Sequence, residues 1–224
     1  MTRPSEGGRG QNALVVMANP AASSLTREIS SGIIGAWYAQ GYHADLVDLF
    51  AEEFDPVFGP SDHAAFAGSG GLPDAVRAEQ RRIDRADHLI LVYPVYWWAM
   101  PALLKGWIDR VFVSGWAFDE DVEGRIKKKL SRLKVTLIAI GAASDATYTK
   151  RGYRDAMRVQ IETGIFDFCG ASVVASKLVT PDRLAQPSAP QAIADAVIAE
   201  ILLEKKHLHL TESSSRSATL LPIE

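Results

Sequence analysis

The sequence has a single cysteine, Cys169, in 224 residues, and this scarcity excludes an internal disulfide. A chain without disulfides suits a reducing compartment, so we expect a cytoplasmic protein. No apolar run approaches the roughly 20 residues that a membrane-spanning helix needs, which argues against insertion into a bilayer. The first twelve residues, MTRPSEGGRGQN, are polar and glycine-rich, unlike the apolar centre of a secretory signal, and we expect 1–12 to be disordered.

The chain also lacks a surplus of either charge, because 24 basic residues are balanced by 27 acidic ones for a net charge of −3. Nucleic-acid-binding proteins usually carry a basic patch, so we expect no nucleic-acid partner. Two nucleotide signatures are missing as well, the dinucleotide pattern GxGxxG and the phosphate loop GxxxxGKS or GxxxxGKT. The histidines have no partners at metal-ligand spacing, and we therefore predict no metal site.

What the sequence does contain is a regular alternation of short apolar runs with segments of helical spacing. Apolar runs without polar alternation are typical of strands covered on both faces. The strands predicted in this way are 13–18, 43–50, 88–95, 134–142 and 171–180, and the helices are 27–40, 73–86, 101–112, 154–168 and 187–206. The order of these elements predicts an α/β protein with a five-stranded parallel sheet and helices on both faces.

The same pattern predicts a single domain over residues 13–206, followed by a polar tail over 207–224. A long stretch between the second strand and the next helix, 51–71, is rich in Gly, Pro and Asp and reads as a loop. Three consecutive lysines at 127–129 indicate a solvated turn.

Three loops follow strands of the predicted sheet and are candidates for a ligand site, 19–26, 94–100 and 141–154. Parallel sheets bind ligands at the carboxyl ends of their strands, near the point where the strand order reverses. The first loop, NPAASSLT, offers hydroxyls and backbone N–H groups at a helix N-terminus, which suits an anion such as phosphate. An ordinary Ser/Thr helix cap is the simpler interpretation of the same residues.

The second loop places Tyr96, Trp97 and Trp98 side by side. Successive side chains of a strand point to opposite faces, so three adjacent aromatics cannot all enter one core. We expect some of them to lie in a turn beside a cleft, although large aromatics that cap a sheet remain the alternative. Together with the anion site, this turn predicts a ligand with a phosphate at one end and a planar ring at the other.

The third loop, IGAASDATY, combines small residues with a phenol. Gly141, Ala142 and Ala143 carry little or no side chain, so the backbone could approach the edge of a ring closely. Tyr148 would offer a hydroxyl there. A Gly-Ala turn after a strand is common, so this loop gains meaning only beside the other two.

The stretch YPVYWWAMPALLKGWIDRVF (93–112), with LVDLFAEEFDP (46–56) and GIFDFCGASVV (164–174), resembles the NAD(P)H:quinone oxidoreductase family, the DT-diaphorase-like flavoproteins of flavodoxin-like fold. The likeness covers roughly residues 13–175. It implies a flavodoxin-like doubly wound sheet, a tightly bound flavin, a homodimer, and two-electron transfer from NAD(P)H to quinones. FAD is the expected flavin, with FMN as the alternative.

Carried over position by position, the resemblance assigns a role to residues in all three loops. The residues assigned to the flavin are Asn19, Ser23, Ser24, Leu25, Thr26, Pro94, Val95, Tyr96, Trp97, Trp98, Gly141, Ala142, Ala143 and Tyr148. Trp98, Phe118 and Glu120 are assigned to the acceptor. Backbone N–H groups around Gly141 and the Tyr148 hydroxyl are the catalytic candidates, because they could stabilise negative charge on the reduced ring.

The chain departs from the family at several of these positions. Asn19 replaces a histidine of the phosphate loop, and Ile140–Ala143 replaces a Thr-Thr-Gly-Gly turn. Glu120 stands where a pocket tyrosine is usual, so anionic acceptors should be disfavoured. A histidine common past Tyr148 is absent, which leaves Arg151, Tyr153 and Arg154 in that neighbourhood.

We therefore predict a flavin-dependent NAD(P)H oxidoreductase that works by a ping-pong reaction, with a quinone or a similar small molecule as acceptor. One alternative is a flavin-bound regulatory subunit of a membrane transport system, which would act through partner contacts. A second alternative is a flavodoxin-like electron carrier. Such carriers are usually strongly acidic, and a net charge of −3 gives that interpretation little support.

Overall fold

The computed structural model of the chain describes residues 12–184 and 188–218. Its strands are β1 (Asn12–Met17), β2 (His43–Asp48), β3 (His88–Pro94), β4 (Phe118–Glu120), β5 (Ile126–Lys128), β6 (Lys134–Ile140) and β7 (Ser172–Val179). Five of them form a sheet in the order β2-β1-β3-β6-β7, and every neighbouring pair in it is parallel. This is the strand order of flavodoxin-like folds, as predicted.

Helices connect the strands and cover both faces of the sheet. They are α1 (Leu25–Ala39), α2 (Pro60–Phe66), α3 (Asp74–Arg85), α4 (Ala102–Val111), α5 (Asp145–Lys150), α6 (Tyr153–Met157) and α7 (Ala189–Ala218). From Arg158 to Asp167 the chain continues α6 as a π-helix, and Pro181–Arg183 forms one 3₁₀ turn. Within the described ranges, none of the helices combines the length and the apolar character that a membrane span requires.

The core lies in two layers because alternate residues of each strand point to opposite faces. Leu14 and Val16 of β1 pack on the side of α3 and α4, where Trp107 is fully buried. Ala13 and Val15 pack on the other side, against α1 and α7. Both sets are buried, which explains why the strand reads as one continuous apolar run.

The loop predicted over 51–71 is wrong in part, because α2 lies within it. Gly59 precedes the helix, and its N–H donates to the Asp62 carboxylate at 2.9 Å. Asp62 is buried and accepts a hydrogen bond from Arg110 Nε of α4 at 3.0 Å. Arg110 also donates to the Asp55 carbonyl at 2.6 Å, so one buried guanidinium holds this segment against the core.

The solvated turn predicted at 127–129 is also wrong in part, because residues 126–128 are strand β5, which pairs antiparallel with β4. This hairpin lies next to the amino ends of β6 and β7. There, Leu130 donates its N–H to the Cys169 carbonyl at 3.0 Å and Lys128 pairs with Asp167 at 3.0 Å. We call this end of the sheet the amino edge and the end that carries loops 18–24, 95–101 and 141–144 the carboxyl edge.

The last helix continues twelve residues beyond its predicted end at 206, to Ala218. The tail predicted from residue 207 is therefore helical in backbone over 207–218. Its final part, 219–224, lies outside the described residues, and so does the predicted disordered segment except for Asn12, which begins β1.

Candidate functional site

The carboxyl ends of β1, β3 and β6 are adjacent in the sheet, and the three candidate loops leave from these ends. The strand order reverses between β1 and β3, which is where such sheets bind ligands. Two hydrogen bonds fix the starts of the second and third loops. Val95 donates its N–H to the Ile140 carbonyl at 2.8 Å, and Gly141 donates its N–H to the Val179 carbonyl at 2.8 Å.

The first loop is held in shape by its own side chains. Asn19 Nδ2 donates to Thr26 Oγ1 at 2.9 Å, while Asn19 Oδ1 accepts the Ala21 N–H at 2.9 Å. Thr26 is buried, so its hydroxyl serves the loop. Ser24 is the N-cap of α1, and its Oγ accepts the Arg27 N–H at 3.3 Å. The helix-cap interpretation is thus correct for Ser24, and Asn19 is a bracing residue of the loop.

The Ser24 cap satisfies only one of the backbone N–H donors at the N-terminus of α1. Ser23 is exposed and Leu25 half-buried. Among the described residues, the N–H groups of Leu25 and Thr26 have no hydrogen-bond partner. Arg27 adds a positive charge, which is paired with the Asp48 carboxylate. The N-terminus of a helix of 15 residues with free donors is well suited to a phosphate group.

The second loop is a tight turn of unusual backbone conformation. Tyr96 and Ala99 exchange two backbone hydrogen bonds, each of 3.1 Å, across the turn. The residues between them, Trp97 and Trp98, have φ of 48° and 62°. Positive φ at both central positions is the pattern of a type I′ turn, which normally contains Asn-Gly. The predicted turn beside a cleft is therefore present, and it is built from residues that fit it poorly.

The side chains of this turn have very different surroundings. Trp97 is 93% exposed and Tyr96 is 48% exposed. Trp98 is half-buried and stacks on Tyr153, with ring centroids 3.8 Å apart and planes 12° apart. Its edge contact with Tyr148 has a centroid distance of 5.3 Å. The sequence left Tyr153 without a role. The sequence shows only that an aromatic residue follows shortly after Tyr148. The stacking on Trp98 depends on tertiary structure.

The third loop brings Tyr148 against Gly141. A Cβ atom added to Gly141 would lie 2.4 Å from Tyr148 Oη, so only glycine fits here. The sequence predicted that a ligand would approach the Gly141 backbone closely, but the Tyr148 ring occupies that space. Burial raises the pKa of Tyr148, which keeps the hydroxyl protonated and able to donate at neutral pH. Gly141 N–H donates to the Val179 carbonyl, whereas the N–H groups of Ala142 and Ala143 have no hydrogen-bond partner within 12–184 and 188–218.

The second and third loops enclose a pocket of about 290 Å³. Its lining consists of Val95, Trp97, Trp98, Ala142, Ala143 and Tyr148. Pro94 lies at the end of β3 just before it. All six lining residues were predicted to contact the cofactor. An apolar, aromatic pocket with a few polar groups at one side is the usual form of a site for a planar ligand.

Phe118 and Glu120 are not part of this pocket in the same chain. Both belong to β4 at the amino edge, where Phe118 contacts the Phe168 ring at a centroid distance of 5.1 Å. Glu120 is exposed. Within one chain the structure therefore does not bring these two predicted acceptor residues to the ring pocket.

A family model described as the flavodoxin-like fold matches residues 11–201. The chain belongs to this flavodoxin-like family. The match includes the strands of the parallel sheet, the three loops and the described part of α7 up to residue 201. The predicted fold is thus confirmed by the strand order and by the family together.

Among the relatives of this flavodoxin-like chain is NAD(P)H dehydrogenase (quinone) 1 of Rattus norvegicus, 29% identical over 191 residues, which cover 75% of this chain and 68% of the relative. A solved NAD(P)H:quinone oxidoreductase from Methanothermobacter marburgensis has a TM-score of 0.75 at 22% identity, over 84% of this chain and 97% of its own. An FMN-dependent NADH-azoreductase from Bacillus anthracis, solved with FMN, has a TM-score of 0.62 at 15% identity, over 86% and 99%. The resemblance to quinone oxidoreductases is confirmed.

Proposed function

We propose that the protein is a flavin-dependent NAD(P)H oxidoreductase with a quinone or a similar small molecule as acceptor. The observation that carries the proposal is the position of a free helix N-terminus beside an aromatic pocket across the switch point of the sheet. Phosphate and a flat ring are the two chemical features of a flavin that these two places would bind. The names of the relatives agree with this activity.

The residues present fit a flavin. The N–H groups of Leu25 and Thr26, with the Ser23 and Ser24 hydroxyls, would hold the phosphate. Val95, Trp97 and Trp98 would contact the ring from one side of the pocket. Ala142 and Ala143 carry small side chains, so their N–H groups can reach the polar edge of a ring without obstruction.

When bound, the flavin would supply the redox chemistry, taking a hydride from NAD(P)H and passing two electrons to the acceptor in a separate half-reaction. The chain's own contribution is electrostatic and geometric. The Ala142 and Ala143 N–H groups and the protonated Tyr148 hydroxyl would be available to donate hydrogen bonds to negative charge on the bound ring. Gly141 leaves room for the Tyr148 ring against the backbone, since any side chain at residue 141 would displace the phenol.

FAD is the proposed flavin, and FMN is the alternative. The sequence resemblance favours FAD, whereas one solved relative of the same fold holds FMN. Mass spectrometry of the cofactor released from the purified protein decides between them. The resemblance and the single cysteine also support the proposal of an enzyme that works in the cytoplasm.

We also propose a homodimer whose second copy completes the site. Trp97 is 93% exposed and its neighbour Tyr96 is 48% exposed, so the two rings form a contiguous apolar surface beside the pocket that a partner could cover. Phe118 and Glu120 lie at the far edge of their own chain, so a partner is needed to bring them near an acceptor. A dimer by light scattering is expected, and a monomer with full activity would contradict it.

The acceptor side has a test of its own. Glu120→Tyr should lower the KM for standard quinones and leave the flavin content unchanged, because only acceptor contacts are altered. Lys127→Gln on the paired strand is a matched control that also changes an exposed charge of the hairpin. If Glu120→Tyr has no effect on any acceptor, residue 120 lies away from the site and the assignment is wrong.

The decisive experiment is purification followed by visible absorption and turnover assays with NADH and NADPH against quinones and azo dyes. We expect a yellow protein that oxidises a nicotinamide when an acceptor is added. A colourless protein that gains no visible band on addition of FAD or FMN would contradict the proposed function.

A further inference from the structure

The turn of residues 96–99 adopts a conformation that its own sequence disfavours. Trp97 and Trp98 have φ of 48° and 62°, where a bulky side chain crowds the backbone. The paired hydrogen bonds between Tyr96 and Ala99 would form equally well with Asn-Gly between them. These bonds therefore do not explain why two tryptophans remain in the left-handed region. Some other contact must hold the turn.

That contact is made by Trp98 and not by Trp97. Trp97 is 93% exposed and packs against little of its own chain. Trp98 lies with its ring flat on Tyr153, at a centroid distance of 3.8 Å, and with its edge on Tyr148. A stacked pair of this kind is specific to one orientation of both rings, so it favours one backbone conformation at Trp98.

Tyr153 lies outside the turn, at the junction of α5 and α6. It begins α6 directly after Gly152, whose φ of 70° turns the chain from α5. The next residue, Arg154, pairs with Asp145 at 2.6 Å, and the Asp145 N–H donates to Asp182 at 3.1 Å. The junction of α5 and α6 is thereby tied to the segment after β7 and presents Tyr153 as a fixed surface.

We propose that Tyr153 is a positioning residue of the ring pocket, which holds Trp98 and the strained turn in the conformation that receives the ligand. Tyr148 cannot replace it, because the Tyr148 ring is packed against Gly141 and meets Trp98 only edge-on. This proposal deepens the proposed function, since the ligand is taken to be a flavin, but its first test needs no flavin.

The first test is chymotrypsin digestion of the flavin-free protein, with cleavage sites mapped by mass spectrometry. Chymotrypsin cuts after aromatic residues, and the turn holds three in a row. Tyr153→Leu removes the stack at similar volume and should speed cleavage at residues 96–98, whereas Tyr153→Phe keeps a ring and should behave as the wild type. Tyr38→Leu is the matched control, because it removes an exposed tyrosine whose ring contacts His43.

The second test is the dissociation constant for FAD, measured by titration of the same variants. We expect about tenfold weaker binding for Tyr153→Leu, the upper end of what an aromatic pair contributes. Tyr153→Phe and Tyr38→Leu should bind as the wild type. If the wild type binds no flavin, the proposed function fails while the digestion still decides the role of Tyr153.

A double-variant cycle protects the test against simple unfolding. Trp98→Gly removes both the strained residue and its stack, so Tyr153→Leu should add no further cleavage in that background. Should Tyr153→Leu fail to fold, Trp98→Leu takes its place, because leucine keeps a bulky side chain in left-handed backbone and lacks the stack. Unchanged cleavage after Tyr96 in Trp98→Leu would then overturn the proposal. Unchanged cleavage and unchanged affinity in a folded Tyr153→Leu would overturn it equally.

Discussion

At the carboxyl edge of the sheet two tryptophans occupy left-handed backbone and one of them is almost wholly exposed, whereas at the amino edge the polar groups beside the strand ends are paired. The amino edge holds His88, which is bonded to Thr136 Oγ1 at 2.9 Å, and Arg132, which donates to the Ala86 carbonyl at 2.7 Å. Asn12 donates its N–H to the Asp87 carboxylate at 3.0 Å. Both edges belong to the same strands, so the difference lies in what each edge must do.

The contrast between the two edges shows which residues are explained by the stability of the fold and which are not. The hydrogen bonds of His88, Arg132 and Asn12 at the amino edge stabilise the folded chain without reference to a ligand. The aromatic turn raises it, because strained backbone and exposed apolar surface are both unfavourable. Residues that break local rules without a compensating gain in the free chain mark a functional site. The predictions that follow measure each edge against the other.

The largest effect is expected at the amino edge, from the pH dependence of His88. Burial, with a smaller contribution from the positive charge of Lys134, lowers the pKa of this histidine from 6.5 to about 3. The unfolded chain binds a proton as the pH falls through about 6.5, and the folded chain does not until about 3. The free energy of unfolding should therefore fall by about 1.4 kcal/mol per pH unit between these values.

Urea denaturation of the wild type and of His88→Gln between about pH 6 and pH 4 isolates this contribution. Glutamine cannot be protonated, so the two stability curves should converge as the pH falls. Flavin binding at pH 7 should be the same in both, since His88 lies at the amino end of β3. Parallel loss of stability in the two chains would mean that His88 is charged or exposed in the folded protein.

The next effect is expected at the carboxyl edge, from Gly141→Ala. The new Cβ would lie 2.4 Å from Tyr148 Oη, and Tyr148 is only 1% exposed and cannot move freely. Overpacking of this kind costs about 1–3 kcal/mol, and the displaced phenol should weaken flavin binding as well. Chemical denaturation and flavin titration measure the two losses.

Two variants sharpen this test. Gly35→Ala places a methyl group where nothing lies within 4 Å, so it should leave flavin binding alone and raise stability by up to about 1 kcal/mol. Tyr148→Phe combined with Gly141→Ala removes the closest clashing atom and should restore part of the stability. A stable Gly141→Ala protein with normal flavin affinity would show that Tyr148 does not occupy this place.

A gain of stability is expected from Trp97→Asn. Asparagine tolerates positive φ, and the side chain it replaces is 93% exposed, so relief of strain should add about 1 kcal/mol. The same change removes a wall of the ring pocket and should weaken flavin binding. Val122→Asn at the amino edge, where the side chain is 99% exposed, is the control and should change stability by less than about 0.5 kcal/mol. Loss of stability in Trp97→Asn would remove the contrast between the edges.

The smallest effect separates two neighbouring serines. Ser24→Ala removes the cap bond of 3.3 Å to the Arg27 N–H and should cost about 0.5 kcal/mol, while Ser23→Ala should cost nothing because Ser23 is exposed. Both should weaken flavin binding if both hydroxyls meet the phosphate. Thermal denaturation with and without added flavin gives both numbers. Unchanged affinity in the double variant would reduce this loop to a helix cap.

The fold followed closely from the sequence because its strands are buried on both faces. The runs at 88–95 and 134–142 are apolar except for His88, Lys134 and Thr136, and the observed strands end within two residues of the predicted ends. All six residues lining the ring pocket were also predicted. Topology indicated the loops, because carboxyl-end loops of a parallel sheet converge, and the family resemblance assigned the individual residues within them.

The sequence failed where tertiary contacts override local pattern. Residues 126–128 carry two lysines and no apolar alternation, so nothing in them indicates a strand. Helix α2 begins at Pro60, directly after Gly59, and is held by a buried pairing between Asp62 and Arg110, which lie 48 positions apart. Tyr153 was passed over for the same reason, because its stacking partner lies on a different loop. Contacts between residues far apart in the sequence cannot be predicted from local spacing.

The five tryptophans of this chain differ sharply in their access to water, so their intrinsic fluorescence can report on the pocket. Trp37 and Trp107 are wholly enclosed, while Trp97 stands almost free in solvent at the mouth of the pocket. A soluble quencher such as iodide should therefore quench the fluorescence of Trp97 and leave that of Trp37 and Trp107 unchanged. Whatever enters the pocket will shield Trp97 first, so its arrival can be followed by light alone, without a label.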